Sequence, residues 1–174
     1  EPKKVVFVGN LTRFNKSRGI DFLINSFESS ELENFKLFLI GGPKSESDRI
    51  KKHIDEKGVN NIFVKGYLNH MESIEEMKTS EIGILINNDD DHSKFYTSPL
   101  KYFEYMAANL KVIAVNYPSH RNLPESENIV YFEKDDTTDF INSILNSTKK
   151  DYIHKDLNEF TLDNRIKKII SFVA

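Results

Sequence analysis

The chain has no cysteine among its 174 residues, so a disulfide framework and a thiolate metal site are both excluded. It also lacks any long apolar run: none approaches the roughly 18 residues that cross a bilayer as a helix. No signal-peptide pattern opens it. A cytoplasmic location is the expectation. Charge of one sign is missing as well, since 24 Lys and Arg face 27 Asp and Glu, mixed throughout, for a formal charge of −3. That balance argues against a general nucleic-acid binder. What is present is ordinary globular composition, 39% hydrophobic and 29% charged, on a chain long enough for one domain with its own core. Glu1-Pro2 leads straight into a strand, which suggests a piece of something longer.

Apolar runs of strand length recur at residues 5–8, 37–40, 62–64, 82–86, 112–115 and 129–132. They are rich in Val, Ile and Phe and mostly continuous, which suits strands covered on both faces. Between them the apolar spacing turns helical: Ile20, Leu23, Ile24 and Phe27; Ile50 and Ile54; Ile74 and Met77; Phe103, Met106 and Ala107; Phe140, Ile141, Ile144 and Leu145. The alternation predicts an α/β fold, a doubly wound, mostly parallel six-stranded Rossmann-like sheet with helices on both faces. Ser45, with Asp48 three residues on, and Thr137 are the expected helix caps. Gly58 and Asn109 stand where helices should end in a left-handed residue. After Asp135 the strands stop, leaving a helix over 140–145, a polar connector through Lys149-Lys150-Asp151 and a last helix around 164–173.

The segment Ser98-Pro99-Leu100-Lys101-Tyr102-Phe103-Glu104-Tyr105-Met106-Ala107-Ala108-Asn109 is the most informative. Ser98-Pro99 reads as an N-cap followed by proline at the first helical position. A helix starting there presents free N–H groups, which attract phosphate. Glu104, further along, is an acceptor-only carboxylate suited to a pair of sugar hydroxyls. The plainer reading is an ion pair with Lys101, worth about 0.3 kcal/mol. The polar stretch 87–93 follows the carboxyl end of a strand, the edge at which open α/β sheets bind ligands.

Five motifs occur in order: Val-Gly-Asn-Leu (8–11), Arg-Gly-Ile-Asp (18–21), Leu-Ile-Gly-Gly-Pro (39–43), Val-Lys-Gly-Tyr (64–67) and Ser-Pro-Leu-Lys-Tyr-Phe-Glu-Tyr-Met-Ala-Ala (98–108). Each is weak alone; together, over residues 5–136, the chain resembles the C-terminal, donor-binding domain of a GT-B glycosyltransferase of the retaining family 4 type. The resemblance implies a nucleotide-sugar-binding domain over 1–174, with the N-terminal acceptor domain outside this chain and the fragment inactive alone. It implies a UDP-, GDP- or ADP-sugar as donor substrate, no tightly bound cofactor and no metal requirement. The implied acceptor is a glycan or lipid-linked hydroxyl, as in polysaccharide biosynthesis, and peripheral association of the full protein with the inner face of the membrane is compatible with it. By position, Glu104 matches the second glutamate of the family's E-x7-E motif and would hold the ribose. Arg18 matches the cation that neutralises the diphosphate. Gly9, Asn10, Thr97, Ser98, Pro99, Leu100 and Lys101 would complete the donor contacts.

The chain departs from the family at two places. The first glutamate of the motif should lie eight positions before Glu104, where Tyr96 stands, as in a subgroup with a Ser-Pro-Leu-Lys opening. Sugar recognition then falls to the N–H groups of 97–100 and the hydroxyls of Thr97 and Ser98. Where the family has an arginine after its first glycine, this chain has uncharged Asn10; Arg13 or Lys16 in a longer loop would compensate. Tyr67 fits either a stacking role on the base or a rim aromatic. Gly41-Gly42-Pro43 is a turn, since the G-x-G-x-x-G spacing fails. Asp89-Asp90-Asp91-His92 offers hard-ion ligands, but consecutive residues cannot all converge on one ion, so it reads as a solvated acidic loop. His53, His70, His120 and His154 lie among polar neighbours without ligand spacing, His120 at a short helix start. The rival readings are a nucleotide-sugar epimerase-type domain, which wants catalytic acids and a histidine in its cleft, and a non-catalytic interaction or regulatory α/β domain.

Overall fold

The computed structural model describes residues 1–13, 16–150 and 157–173. The chain opens with β1 (Lys3–Val8), a short antiparallel ribbon of β2 (Thr12–Arg13) and β3 (Lys16–Ser17), then α1 (Ile20–Phe27). There follow β4 (Phe35–Ile40), α2 (Lys44–Lys57), β5 (Ile62–Gly66), α3 (His70–Lys78) and β6 (Ile82–Leu85). A single π-helical turn (His92–Tyr96) precedes α4 (Leu100–Ala107), β7 (Lys111–Val115) and α5 (Pro118–Arg121). The chain closes with β8 (Val130–Phe132), α6 (Thr137–Ser147) and α7 (Leu162–Val173).

Six strands form one parallel sheet in the order β5-β4-β1-β6-β7-β8, the doubly wound arrangement expected from the alternation of runs. Period-two alternation is hidden inside the continuous apolar runs. Val5 and Phe7 enter one core with Leu37, Leu39 and residues of α1, α2 and α6. Val6 and Val8 enter the other with Met77 of α3 and Tyr102, Tyr105 and Met106 of α4. Both faces are apolar because both are roofed by helices. Edge strand β5 is the exception: Phe63 is 37% exposed, and the exposed residues Phe63 and Lys65 share one face of the strand.

Two expected caps shift. The N-cap of α2 is Pro43, not Ser45, which falls inside the first turn. The cap of α6 is Asp136, whose carboxylate accepts from Asp139 N, one residue before Thr137. In each case a neighbouring residue already holds the extended backbone that a cap requires. Gly58 and Asn109 end α2 and α4 in the left-handed region, at φ 67° and 59°. The last helix starts at Leu162, two residues before the expected boundary. Asp151 of the connector and His154 lie outside the described residues. Among the described residues no helix is long and apolar enough to cross a membrane.

Candidate functional site

The strand order reverses between β1 and β6, and there the sheet parts. Pairing of β1 with β6 covers Val5 with Ile82 and Val6 with Gly83. Past that point the Tyr105 hydroxyl sits between the strands, accepting from Val8 N (3.1 Å) and donating to Ile84 O (3.3 Å). Burial pushes this phenol well above its ordinary pKa, so the hydroxyl keeps its proton. Its ring lies where a side chain on residue 83 would go: a Cβ on Gly83 would stand 2.6 Å from it. The switch point is thus held open by one residue of α4.

The loops that follow β1 and β4 are pressed together at the same edge. Gly9 N donates to Ile40 O, Gly41 N to Gly66 O and Leu11 N to Gly42 O, all at 2.8–2.9 Å. Gly41 has φ 147°, and a Cβ there would meet Gly9 O at 1.8 Å, so only glycine permits this approach. Leu11 O accepts from Arg18 N, which returns the chain to the mouth of the crevice after the β2–β3 ribbon.

A cleft of about 270 Å³ opens at the switch point. Its wall is formed by the ends of β1 and β6 on one side and residues 97–101 on the other, with Arg18 and Asn87 between. Arg18 donates to Asn87 Oδ1 and, at 3.3 Å, to the backbone oxygen of Asn10. Its Nε is buried without a partner among the described residues. Burial, then the nearby Arg13 cation, lower the Arg18 pKa, yet a guanidinium remains charged at any physiological pH. Helix α4 aims its first turn at the same space. Its N-cap is Pro99, with ψ 100°, and no side chain caps it; Ser98, expected as the cap, lies one residue further out. The cleft therefore combines a half-buried cation with uncapped helical N–H groups, a positive end suited to an anion.

The remaining expected residues fall around this cleft at different removes. Gly9, Arg18, Thr97, Ser98, Pro99, Leu100 and Lys101 line it together. Asn10 meets it through its backbone oxygen on Arg18. Arg13 contacts His92 Nδ1 at 3.2 Å, and Thr97 Oγ1 donates to His92 O at 3.1 Å, so Arg13 is tied to the rim rather than the wall. Lys16 is exposed in the ribbon. Glu104 is paired with Lys101, as in its plainer reading, and lies one turn beyond the wall with 27% of its side chain exposed. Tyr67 is 81% exposed past the end of edge strand β5 and is not brought to the cleft. Tyr96, at the first-glutamate position, is 76% exposed in the π turn.

The acidic loop is occupied with its own bonds. Asp90 accepts from Ser93 N and Oγ, and Asp89 pairs with Lys94. Among the described residues no three His, Asp or Glu side chains gather into a possible metal site. Two polar residues of the cleft are not legible as site residues in the sequence. Asn87 opens the polar stretch that follows β6, yet only the fold brings it to Arg18, 69 positions away. His120, polar-flanked in the sequence, is buried and forms part of the cleft wall.

A doubly wound parallel sheet with a cationic cleft at its switch point defines a Rossmann-like α/β domain. The family model described as glycosyl transferases group 1 matches residues 2–149. The chain belongs to that family, and its architecture is the one expected of the C-terminal half of a GT-B enzyme. Among curated proteins none matches by sequence. Among solved structures, the chain is similar to the catalytic domain of cholesterol-α-glucosyltransferase from Helicobacter pylori, with TM-score 0.58 and 19% identity over 85% of this chain and 87% of that one. A lipopolysaccharide outer core galactosyltransferase in its apo form superposes with TM-score 0.72 and 14% identity over 99% of this chain and 49% of that one. A glycosyltransferase from Rickettsia africae superposes with TM-score 0.69 and 17% identity over 98% and 46%. At these identities the likeness speaks to the fold. The chain spans about half the length of the latter two.

Proposed function

We propose that this chain is the donor-binding half of a retaining glycosyltransferase, taking a nucleoside-diphosphate sugar at the β1/β6 cleft. The supporting observation is that Arg18, with an unpartnered buried Nε, and the uncapped start of α4 face one cavity at the switch point. The diphosphate settles between them. As the bond between the sugar's C1 and the diphosphate oxygen breaks, negative charge grows on the leaving group, and prepositioned donors stabilise it without reorganising. Glu104 exchanges its Lys101 contact for the ribose hydroxyls and orients the nucleoside. The acceptor, a glycan or lipid-linked hydroxyl, and the group that receives its proton belong to a further domain of the complete protein. Polysaccharide biosynthesis on the cytoplasmic side of a membrane is the setting this chemistry fits.

Calorimetric titration with UDP, GDP and ADP tests the reading. One of the three should bind, and Arg18→Ala should weaken it roughly ten- to hundredfold, the range for a charge-assisted contact. Glu104→Ala should weaken the same nucleotide about tenfold while leaving stability within about 0.5 kcal/mol, since the pair with Lys101 is partly exposed. Binding of none, or binding insensitive to Arg18→Ala, overturns the proposal.

A further inference from the structure

His120 is completely buried on α5, stacked against Tyr117, with ring centroids 5.9 Å apart. Its Nδ1 lies 2.7 Å from Val115 O. A carbonyl can only accept, so Nδ1 carries the proton and a neutral ring leaves Nε2 as a bare lone pair. Burial lowers the pKa of this imidazole and keeps it in that neutral form. Nε2 has no partner among the described residues, although a buried acceptor left unmet is costly. His120 is also part of the cleft wall that holds Arg18 and residues 97–101.

We propose that His120 is a specificity-determining residue whose Nε2 accepts a hydrogen bond from a hydroxyl of the transferred sugar. The inference rests on the donor-site reading above and adds to it the part of the ligand that is read. Of the other polar features of this wall, the Arg18 guanidinium and the first turn of α4 are donors and match phosphate oxygens. A bare imidazole lone pair would repel those oxygens. It can be satisfied only by an O–H or N–H, and the sugar hydroxyls are the donors attached next to the diphosphate. His120 thereby makes the cleft bipolar, adding a pure acceptor for the sugar to the donors for the leaving group.

The test compares a nucleoside diphosphate with its sugar nucleotides on the same chain. UDP, GDP and ADP are titrated alongside UDP-glucose, UDP-galactose, GDP-mannose and ADP-glucose. His120→Phe keeps the volume and removes the acceptor; it should weaken the preferred sugar nucleotide about three- to tenfold and leave the matching diphosphate unchanged. His120→Gln, whose amide can both donate to Val115 O and accept, should recover part of the loss. Equal weakening of both ligands would make the role merely structural and overturn the proposal, as would no change in either. If the native chain binds no diphosphate, the donor-site reading itself fails, a result distinct from either. Should the variants not fold, nitrogen NMR of the native chain decides: the Nε2 resonance should move on adding the sugar nucleotide and stay on adding the diphosphate. An Nε2 that stays for both refutes the assignment.

Discussion

Tyr105→Phe isolates the hydroxyl that holds the switch point open. The substitution keeps the ring packed over Gly83 and removes only the oxygen between Val8 N and Ile84 O, 3.1 and 3.3 Å away. Both backbone groups lie in a region where the β1–β6 ladder has ended, and the oxygen's removal leaves each of them buried and unmet. An unsatisfied buried group costs about 1–3 kcal/mol, and bonds of this length belong at the low end. Two of them give a loss of about 2–3 kcal/mol. For a chain of this length that lowers Tm by roughly 5–10 °C. Urea denaturation followed by circular dichroism, with the slope unchanged, measures it. A loss below about 0.5 kcal/mol would mean that the strands close on each other once the hydroxyl is gone, and that Tyr105 does not set the width of the crevice.

Two further outcomes concern a backbone contact and an ion-pair bridge. Gly41→Ala should lose roughly 3 kcal/mol in the same denaturation assay, because its Cβ meets a backbone oxygen rather than a movable side chain; a neutral result would show that the β1 and β4 loops are free to separate. Glu76 of α3 bridges Lys4 at 2.6 Å and Lys65 at 3.2 Å. Its burial works against ionisation, but the two lysines prevail and hold its pKa below the usual carboxylate value. The stabilisation is therefore present above the unfolded-state pKa near 4 and is lost as pH falls through the lower folded value. Glu76→Gln should be less stable by roughly 0.5 kcal/mol at pH 7, with the gap closing below pH 4; a pH-independent gap would refute the linkage.

The six strands and the helices between them were legible because runs of Val, Ile and Phe and helical apolar spacing report burial directly, residue by residue. Gly58 and Asn109 were legible for a similarly local reason: a left-handed turn end selects residues that tolerate it. Caps were less so, since Ser45 and Asp136-Thr137 offer competing acceptors whose choice depends on the backbone around them. At the cleft, the start of α4 and the cation at Arg18 could be named from motifs. Their partners could not. Asn87 and Arg18 are linked by a contact that depends on β1 and β6 being neighbours, and strand order leaves no trace in periodicity.

What the sequence determined by itself is which segments must be buried and which end of one helix would be short of partners. Only the tertiary structure decided that His120, flanked by Ser119 and Arg121, is buried at the cleft wall with one nitrogen unmet, and that Tyr67 stands away from the cleft. Burial of a polar ring is a property of everything packed around it, supplied here by β7, Tyr117 and the cleft wall, and no local pattern encodes that enclosure.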